Sequence, residues 1–407
     1  MKGKKWRELR NILSPAFTGS KMRAIFVLIS EAAKEFAKYF ENQNLDVCEL
    51  EMKETYSKYT NDVIATCAFG IKSNSLEDPT NEFFTMGRAI TSTSLSGRLK
   101  ALLLIFFPKF FKILKLPAVP VKVTSFFKTI ITGTIALREK ENIIRPDLIH
   151  LMIEAKKGKL FHDIQQTKDT GFATVEEIKD SRSIATLELT DDVITAQALI
   201  FFLAGFETSS SLLSFVSYEL AKCPDIQYRL IREVDDNTSK EGITYENISK
   251  MKYLDQVVSE ALRKWTAGYA LSRVCTKDYT IPPKNEDEVP LKLTRGCYVM
   301  IPIIGIHHDP KYFKNPDIFD PERFSDENKK KIVPGSFMPF GSGPRNCIGS
   351  RFALLEIKAL LVSMLTKFEF RFIEKTKIPL TFTKTFNMNV KGGIWLGLKK
   401  RENKQVR

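Results

Sequence analysis

Phe340-Gly341-Ser342-Gly343-Pro344-Arg345-Asn346-Cys347-Ile348-Gly349 is a glycine-rich loop with one cysteine near its end, followed at once by the helix-forming run Ser350 to Glu356. That order sets the sulfur of Cys347 at a helix N-terminus, where free backbone N–H groups and the helix dipole stabilise an anion. Such a position is expected to lower the cysteine pKa, so that a thiolate persists at neutral pH. Taken alone, a cysteine among glycines is more often a buried thiol or a nucleophile. A thiolate held on an open loop can also be the axial ligand of a heme iron, where it pushes electron density onto the metal and favours O–O cleavage. Gly343 and Gly349 are expected to allow tight turns and close approach of a flat macrocycle. Arg345 is a candidate partner for a heme propionate.

The combined spacing of Phe340, Gly343, Arg345, Cys347 and Gly349 is far more specific than the cysteine by itself. The stretch resembles the heme-binding signature of the cytochrome P450 heme-thiolate monooxygenases. The resemblance implies a mainly α fold with a small β-rich lobe, and heme between a long central helix and the cysteine-bearing loop. It implies one domain over 1–407: 1–240 largely helical, and 241–407 with an E-x-x-R helix, short strands and the heme-binding loop.

Composition agrees with a large globular unit. The chain has 407 residues, 43% hydrophobic and 27% charged, enough for a sizeable core. Six scattered cysteines without a C-x-x-C pair point to neither a disulfide framework nor a zinc site, and fit a reducing compartment. The net charge of +14 comes from dispersed basic residues, without a nucleic-acid motif. An anionic membrane surface or an acidic protein partner is the expected counterpart. Neither a secretory signal nor a continuous apolar run of ~18–20 residues is visible in the sequence. By resemblance to microsomal members, the start at Met1 is abrupt, and the chain is expected to be N-terminally incomplete.

Lys5 to Arg10 reads as a helix with Trp6 and Arg10 on one face. Taken alone it is a solvated basic helix with one buried tryptophan. The family resemblance makes W-x-x-x-R a propionate-binding pair, with Lys4, Lys5 and Arg7 on an outer, partner-facing side. Met22, Ile25, Phe26, Ile29, Ala33, Phe36 and Phe40 recur at helical spacing and belong to the core. Further helices are expected over Met52–Phe69 with Gly70 as stop, over 81–93, and over Val121–Glu141. Leu102 to Leu116 interleaves apolar residues with lysines. It reads equally as an interfacial membrane segment or a buried helix–loop–helix. Lys156 to Ser183 is polar and is expected to be an exposed loop.

Thr190-Asp191-Asp192 starts a helix of about 30 residues, about 45 Å long, ending at Cys223-Pro224. Its middle, Ala204-Gly205-Phe206-Glu207-Thr208, breaks local rules. Gly205 costs about 1 kcal/mol against alanine in a helix, and Glu207 and Thr208 sit among apolar neighbours. A threonine bonded back to its own helix is the plain alternative. By resemblance, this A-G-x-E-T motif crosses the heme opposite the cysteine. Gly205 would make room for O2, Thr208 would bond the bound dioxygen or a water, and Glu207 would belong to the proton route.

Glu260 and Arg263, three apart on a helix, would ordinarily be a weak surface pair. Pro321-Glu322-Arg323-Phe324 follows, and the resemblance makes Glu260, Arg263 and Arg323 one buried structural network, whose loss of a partner costs about 3–5 kcal/mol. The resemblance also implies that Arg273 binds a propionate and that Ala267, Gly268 and Leu271, with Phe201 and Ala204, line a substrate pocket. His307-His308-Asp309-Pro310 is read as structural or propionate-side rather than as a metal site. Short strands are expected at Tyr279–Ile281, Lys292–Leu293 and Tyr298–Ile301, and a hairpin between Leu380–Phe382 and Ile394–Leu398.

These spaced motifs agree in order along nearly the whole chain. Pro146 to Gly158 and the run through Ala204–Thr208 are most similar to insect microsomal members of the xenobiotic-metabolising kind. The expected activity is insertion of one oxygen atom of O2 into a lipophilic substrate. Electrons would come from NADPH through a flavoprotein reductase, with cytochrome b5 as a further donor, at the cytoplasmic face of the endoplasmic reticulum membrane. The basic residues Lys4, Lys5, Arg7 and Arg351 would meet the reductase. The rivals are an inactive heme-binding relative or non-functional fragment and, more remotely, a thiol-nucleophile hydrolase.

Overall fold

A computed structural model describes residues 3–43, 45–91, isolated positions between 97 and 117, then 119–157, 171–175, 189–238, 242–383 and 388–402. Its helices are α1 (Gly3–Leu13), α2 (Gly19–Glu41), α3 (Met52–Ile64), α4 (Glu82–Thr91), α5 (Val121–Glu141), α6 (Leu148–Lys156), α7 (Asp191–Lys222), α8 (Pro224–Thr238), α9 (Tyr245–Lys250), α10 (Lys252–Lys264), α11 (Ile303–His307) and α12 (Ser350–Lys367). The strands are β1 (Val47–Glu51), β2 (Leu271–Val274), β3 (Tyr279–Ile281), β4 (Leu291–Leu293), β5 (Tyr298–Ile301), β6 (Phe368–Arg371) and β7 (Trp395–Lys400). The architecture is mainly α with small sheets, as the sequence led us to expect.

The long helix α7 is the axis of the core. Thr190 caps it by accepting from the Val193 N–H at 3.4 Å, and Asp191 and Asp192 oppose the dipole in its first turn. By length and composition alone α7 could cross a membrane, but 56% of its apolar window is buried against the other helices. Phe202 and Phe206 stack at 5.4 Å, and Phe202 meets Phe127 of α5 at 5.1 Å and Phe83 of α4 at 5.4 Å. These aromatic pairs join the helices that flank α7. Below them α3 widens over Ala65–Phe69 into a π-type turn, which Gly70 ends in the left-handed region at φ 68°. The expected helix of 52–69 therefore has the right extent but not a uniform winding.

Within the 241–407 part, a buried ion pair ties α10 to the segments that lead to the cysteine loop. Arg263, at the end of α10, donates to both oxygens of Glu260 at 2.7 and 2.8 Å, and neither side chain is exposed. Arg323 adds a contact to Glu260 at 3.4 Å, and the Asp320 N–H another at 3.0 Å. The rest of the Arg263 guanidinium donates to the carbonyls of His307 at 2.9 Å and Pro316 at 2.7 Å. His307 is fully buried. Its Nε2 accepts from the Met338 N–H at 3.0 Å, so Nδ1 is the protonated nitrogen facing the Arg263 carbonyl at 3.2 Å. Burial holds this imidazole at a pKa of about 4, and hence neutral. The chain from α10 to Met338, two residues before the glycine loop, is thus fixed by buried polar bonds.

Three expectations change. The 380–382 and 394–398 stretches do not form a hairpin. β7 lies between β1 and β6 in an antiparallel sheet, where ladders on both sides satisfy its backbone N–H and C=O groups, and Phe382 makes a single bridge to Val390. The 1–240 part thereby lends a strand to the C-terminal sheet. The 156–183 stretch lies mostly outside the described residues, but 171–175 is docked rather than loose. Phe172 stacks on Phe337 at 5.7 Å, and its N–H donates to Asp255 at 2.9 Å. The 102–116 stretch is also largely outside the described residues; its described Phe107, Phe110, Ile113 and Leu114 are exposed.

Glu356 of α12 is fully buried. Neither of its oxygens has a hydrogen bond of ordinary geometry among the described residues. Burial raises the acid to a pKa of about 8, opposed only in part by the nearby Ser209 hydroxyl. Its contribution to stability is therefore full below the ordinary value of 4.5 and lost as pH rises through about 8, at about 1.4 kcal/mol per pH unit. The raised pKa of Asp62 acts up to about 6, and His307 acts in the opposite sense below 6.5. Burial raises Glu233 and Glu260 as well, so the readout is the difference between variants. In denaturant unfolding between pH 6.5 and 8, stability should fall more steeply with pH in the parent than in Glu356→Gln; equal slopes would refute the assignment.

Candidate active site

The loop 340–349 is shaped by its own backbone. Gly341 donates to the Met338 carbonyl at 3.0 Å, Asn346 to Gly343 at 3.0 Å, and Cys347 to Phe340 at 2.9 Å. Gly343 sits at φ +78°, where a side chain would be strained. Gly349 is at φ −93° and needs no glycine for its conformation. Gly349 does lie in the turn that leads into α12, but that turn does not depend on its being glycine. A Cβ at either Gly343 or Gly349 would meet nothing within 4 Å, so both leave the loop's surface open.

Cys347 is exposed, three residues before the start of α12 at Ser350. Its thiol is nonetheless pushed above the ordinary value by the protein packed around it, while the Gly349 N–H and Arg10 pull the other way. The helix terminus does not win this contest: desolvation by the surrounding protein is the larger effect. The lowered thiol pKa read from the sequence is thus corrected, and a bound metal would supply the missing stabilisation, since a coordinating thiol is deprotonated outright.

α1 is docked on this loop. Arg10 donates to the Asn346 carbonyl at 3.1 Å and to its Oδ1 at 2.7 Å. The Arg345 guanidinium lies 4.0 Å from the centre of the half-buried Trp6 ring. Arg273, on β2, donates to the Ser342 carbonyl at 3.3 Å, and neighbouring Leu271 packs beside Gly341. Trp6, Arg10, Arg273 and Arg345 therefore converge on one loop from three regions of the chain. Arg351 departs from its expected outward position: it is half-buried and donates to the Phe17 carbonyl at 3.4 Å.

On α7, Ala204 and Thr208 are exposed on one face, with Phe201 one turn earlier. Phe201 is half-buried, its ring 5.2 Å from that of Phe17, so it is partly spent on packing. The Thr208 hydroxyl donates back to the Ala204 carbonyl at 2.6 Å. A Cβ at Gly205 would stand 3.0 Å from Ile64 Cδ1, so the glycine serves the close approach of α7 to α3. Glu207 turns toward α3 and meets Lys53 at 3.2 Å. Ala267 and Gly268 are exposed just before β2.

The cytochrome P450 family model matches residues 1–396. The chain belongs to the cytochrome P450 family. It is 44% identical to cytochrome P450 9e2 of Blattella germanica, across 99% of this chain and 76% of that relative. It is 41% identical to probable cytochrome P450 9f2 of Drosophila melanogaster, across 98% of this chain and 75% of the relative. Cytochrome P450 6a2 of the same fly is 38% identical over 97% and 75%. This cytochrome P450 is an oxidoreductase, a monooxygenase whose cofactor is heme.

The residues present fit that cofactor. A single exposed sulfur, open space over Gly343 and Gly349, and three arginines beside the loop suit a flat, iron-bearing, dianionic ring. Among the described residues no cluster of three or more His, Cys, Asp or Glu side chains offers a competing metal site. Asn346, Phe17 and Lys53 escaped the sequence reading because their partners are distant in the chain; Arg10 and Asn346 are 336 residues apart. The packing role of Gly205 is testable by a double-mutant cycle. Gly205→Ala should stabilise by up to about 1 kcal/mol in an Ile64→Val background, which removes Cδ1, and by clearly less in the parent. Equal gains in thermal or denaturant unfolding would refute the contact.

Proposed function

We propose that this cytochrome P450 oxygenates a lipophilic small molecule of the xenobiotic, hormone or fatty-acid kind. Its electrons come from NADPH through a flavoprotein reductase, with cytochrome b5 as a second donor, at the cytoplasmic face of the endoplasmic reticulum membrane. The observation that carries the reading is the exposed Cys347 sulfur on a loop that Arg10 and Arg273 grip and whose own Arg345 lies against Trp6. Heme held through Cys347 supplies dioxygen binding and O–O cleavage. The net change is RH + O2 + 2 e⁻ + 2 H⁺ → ROH + H2O.

The chain's own groups then have distinct tasks. Arg10, Arg273 and Arg345, with Trp6, neutralise and orient the two propionates. Phe201, Ala204, Ala267, Gly268 and Leu271 form an uncharged wall that favours an apolar substrate and excludes water. Thr208 accepts or passes a proton at Oγ1, breaking its bond to the Ala204 carbonyl when it donates elsewhere. Glu207, one residue earlier, takes protons from solvent. Exposed Phe107, Phe110, Ile113 and Leu114 support contact with a lipid surface. Lys4, Lys5 and Arg7 are exposed on α1, whose other face holds the cysteine loop, which supports docking of an acidic reductase near the heme.

The reduced carbon-monoxide complex tests the reading. A strongly red-shifted Soret band is expected from the parent and should disappear in Cys347→Ala; normal turnover by that variant would end the hypothesis. Thr208→Ala should keep the band but divert reduced oxygen to peroxide, and unchanged coupling would remove Thr208 from its role.

A further inference from the structure

Cys275 and Cys297 stand across from each other where β2 and β5 run out into the β3–β4 hairpin. The β2–β5 register pairs Arg273 with Val299 and Val274 with Tyr298, so the next step along the ladder brings Cys275 to Cys297. The backbone carries that step. The Cys275 N–H donates to the Cys297 carbonyl at 2.8 Å, and the Gly296 N–H donates to the Cys275 carbonyl at 2.8 Å. Gly296, at φ +92°, makes a bulge in which Gly296 and Cys297 together oppose Cys275. Both cysteines fall on one face of the ladder. Leu271, Arg273 and Cys275 are half-buried and alternate with exposed Ser272 and Val274; Cys297, Val299 and Ile301 alternate with exposed Tyr298 and Met300. Hydrogen-bonded partners in such a ladder have Cα atoms about 5.5 Å apart, inside the range of about 4.4–6.8 Å that a disulfide spans. Both thiols are free, and Cys275 Sγ donates to the Lys277 carbonyl at 2.9 Å.

Solvent reaches the pair, because residues 276–296 between the two cysteines are all exposed except Leu293. We propose that Cys275 and Cys297 are a redox modification site, a dithiol that hydrogen peroxide closes into a disulfide, clamping the strand that carries Arg273. The peroxide comes from abortive turnover of the monooxygenase itself, O2 + 2 e⁻ + 2 H⁺ → H2O2. One sulfur, as its thiolate, attacks a peroxide oxygen. The O–O bond breaks, a sulfenic acid forms, and the departing hydroxide takes up the thiol proton as water. The second sulfur attacks the first, the S–O bond breaks, and a second water leaves. The sum is 2 RSH + H2O2 → RSSR + 2 H2O, with two electrons passing from the sulfurs to the peroxide. In a reducing compartment such a bond is transient, which suits a sensor. Closure acts on the site through β2. Four register pairs hold β2 to β5, and a ladder of two short strands is marginal by itself. Arg273, two residues from Cys275, donates to the Ser342 carbonyl of the heme-binding loop at 3.3 Å. A covalent tie beside it stops β2 from fraying at the hairpin end and keeps Arg273 on the loop. The effect on heme rests on the propionate role proposed for Arg273.

The test uses heme-loaded protein with an NADPH-dependent reductase and no substrate, so that the electrons reduce dioxygen to peroxide. Free thiols are then blocked with N-ethylmaleimide, and the digested protein is read by mass spectrometry. A peptide joining Cys275 to Cys297 should accumulate with time, vanish on reduction, be absent from Cys297→Ser and fall several-fold when catalase is present. Oxidation of single cysteines without the joined peptide, or a joined peptide indifferent to catalase, would overturn the proposal. The clamp is read separately, by heme loss to excess apomyoglobin after the bond has been made with glutathione disulfide, which does not bleach heme (2 RSH + GSSG → RSSR + 2 GSH). Loss should slow several-fold and return to its original rate when a phosphine reduces the bond. Arg273→Gln should lose heme faster than the parent. If Arg273→Gln does so but the bond leaves the parental rate unchanged, the clamp is overturned and Arg273 keeps its role. Parental heme loss in Arg273→Gln itself would overturn the propionate role.

Discussion

A guanidinium without surface exposure must spend every donor inside the protein, and Arg263 does so on the elements that carry the cysteine loop. Its two bonds to Glu260 balance the charge, and the others reach the carbonyls of His307 and Pro316. His307, kept neutral by burial, passes the constraint on to the Met338 N–H. A buried pair of this kind contributes little net stability over an apolar replacement, but removing one partner leaves a buried charge, so it acts as a lock on geometry. The position of Cys347 relative to α10 follows from that lock.

From the other side the loop is held by α1. The Arg10–Asn346 bonds and the Arg345–Trp6 contact use the same residues that are proposed to bind propionates. Those arginines thus have two functions in one place. They order the loop through its own backbone and side chains, and they set positive charge beside the open surface over Gly343 and Gly349. A site prepared in this way asks for little rearrangement when a dianionic ring arrives.

α7 divides its faces by chemistry. One carries Ala204 and Thr208, exposed and uncharged; another turns Glu207 and the serines after it toward α3 and Lys53. Gly205 lies where α7 and α3 come closest, against Ile64. The glycine that seemed to break the helix for the sake of the site also serves packing against the last turn of α3.

How much could be read without coordinates depended on the range of the interaction. The extents of α5 and α7, the stop at Gly70 and the motif around Cys347 are local: they follow from caps, periodicity and glycine conformations within a few residues. The heme-binding loop was legible for the same reason, and the family with it. Tertiary structure alone decided which strand lies beside β7, since β1 is more than 340 residues away in sequence. It decided that Glu207 points to Lys53, that Arg351 turns inward, and that the thiol of Cys347 is raised rather than lowered. Each of these is set by what crowds or charges a group from a distant part of the chain, and no pattern of neighbouring residues encodes that.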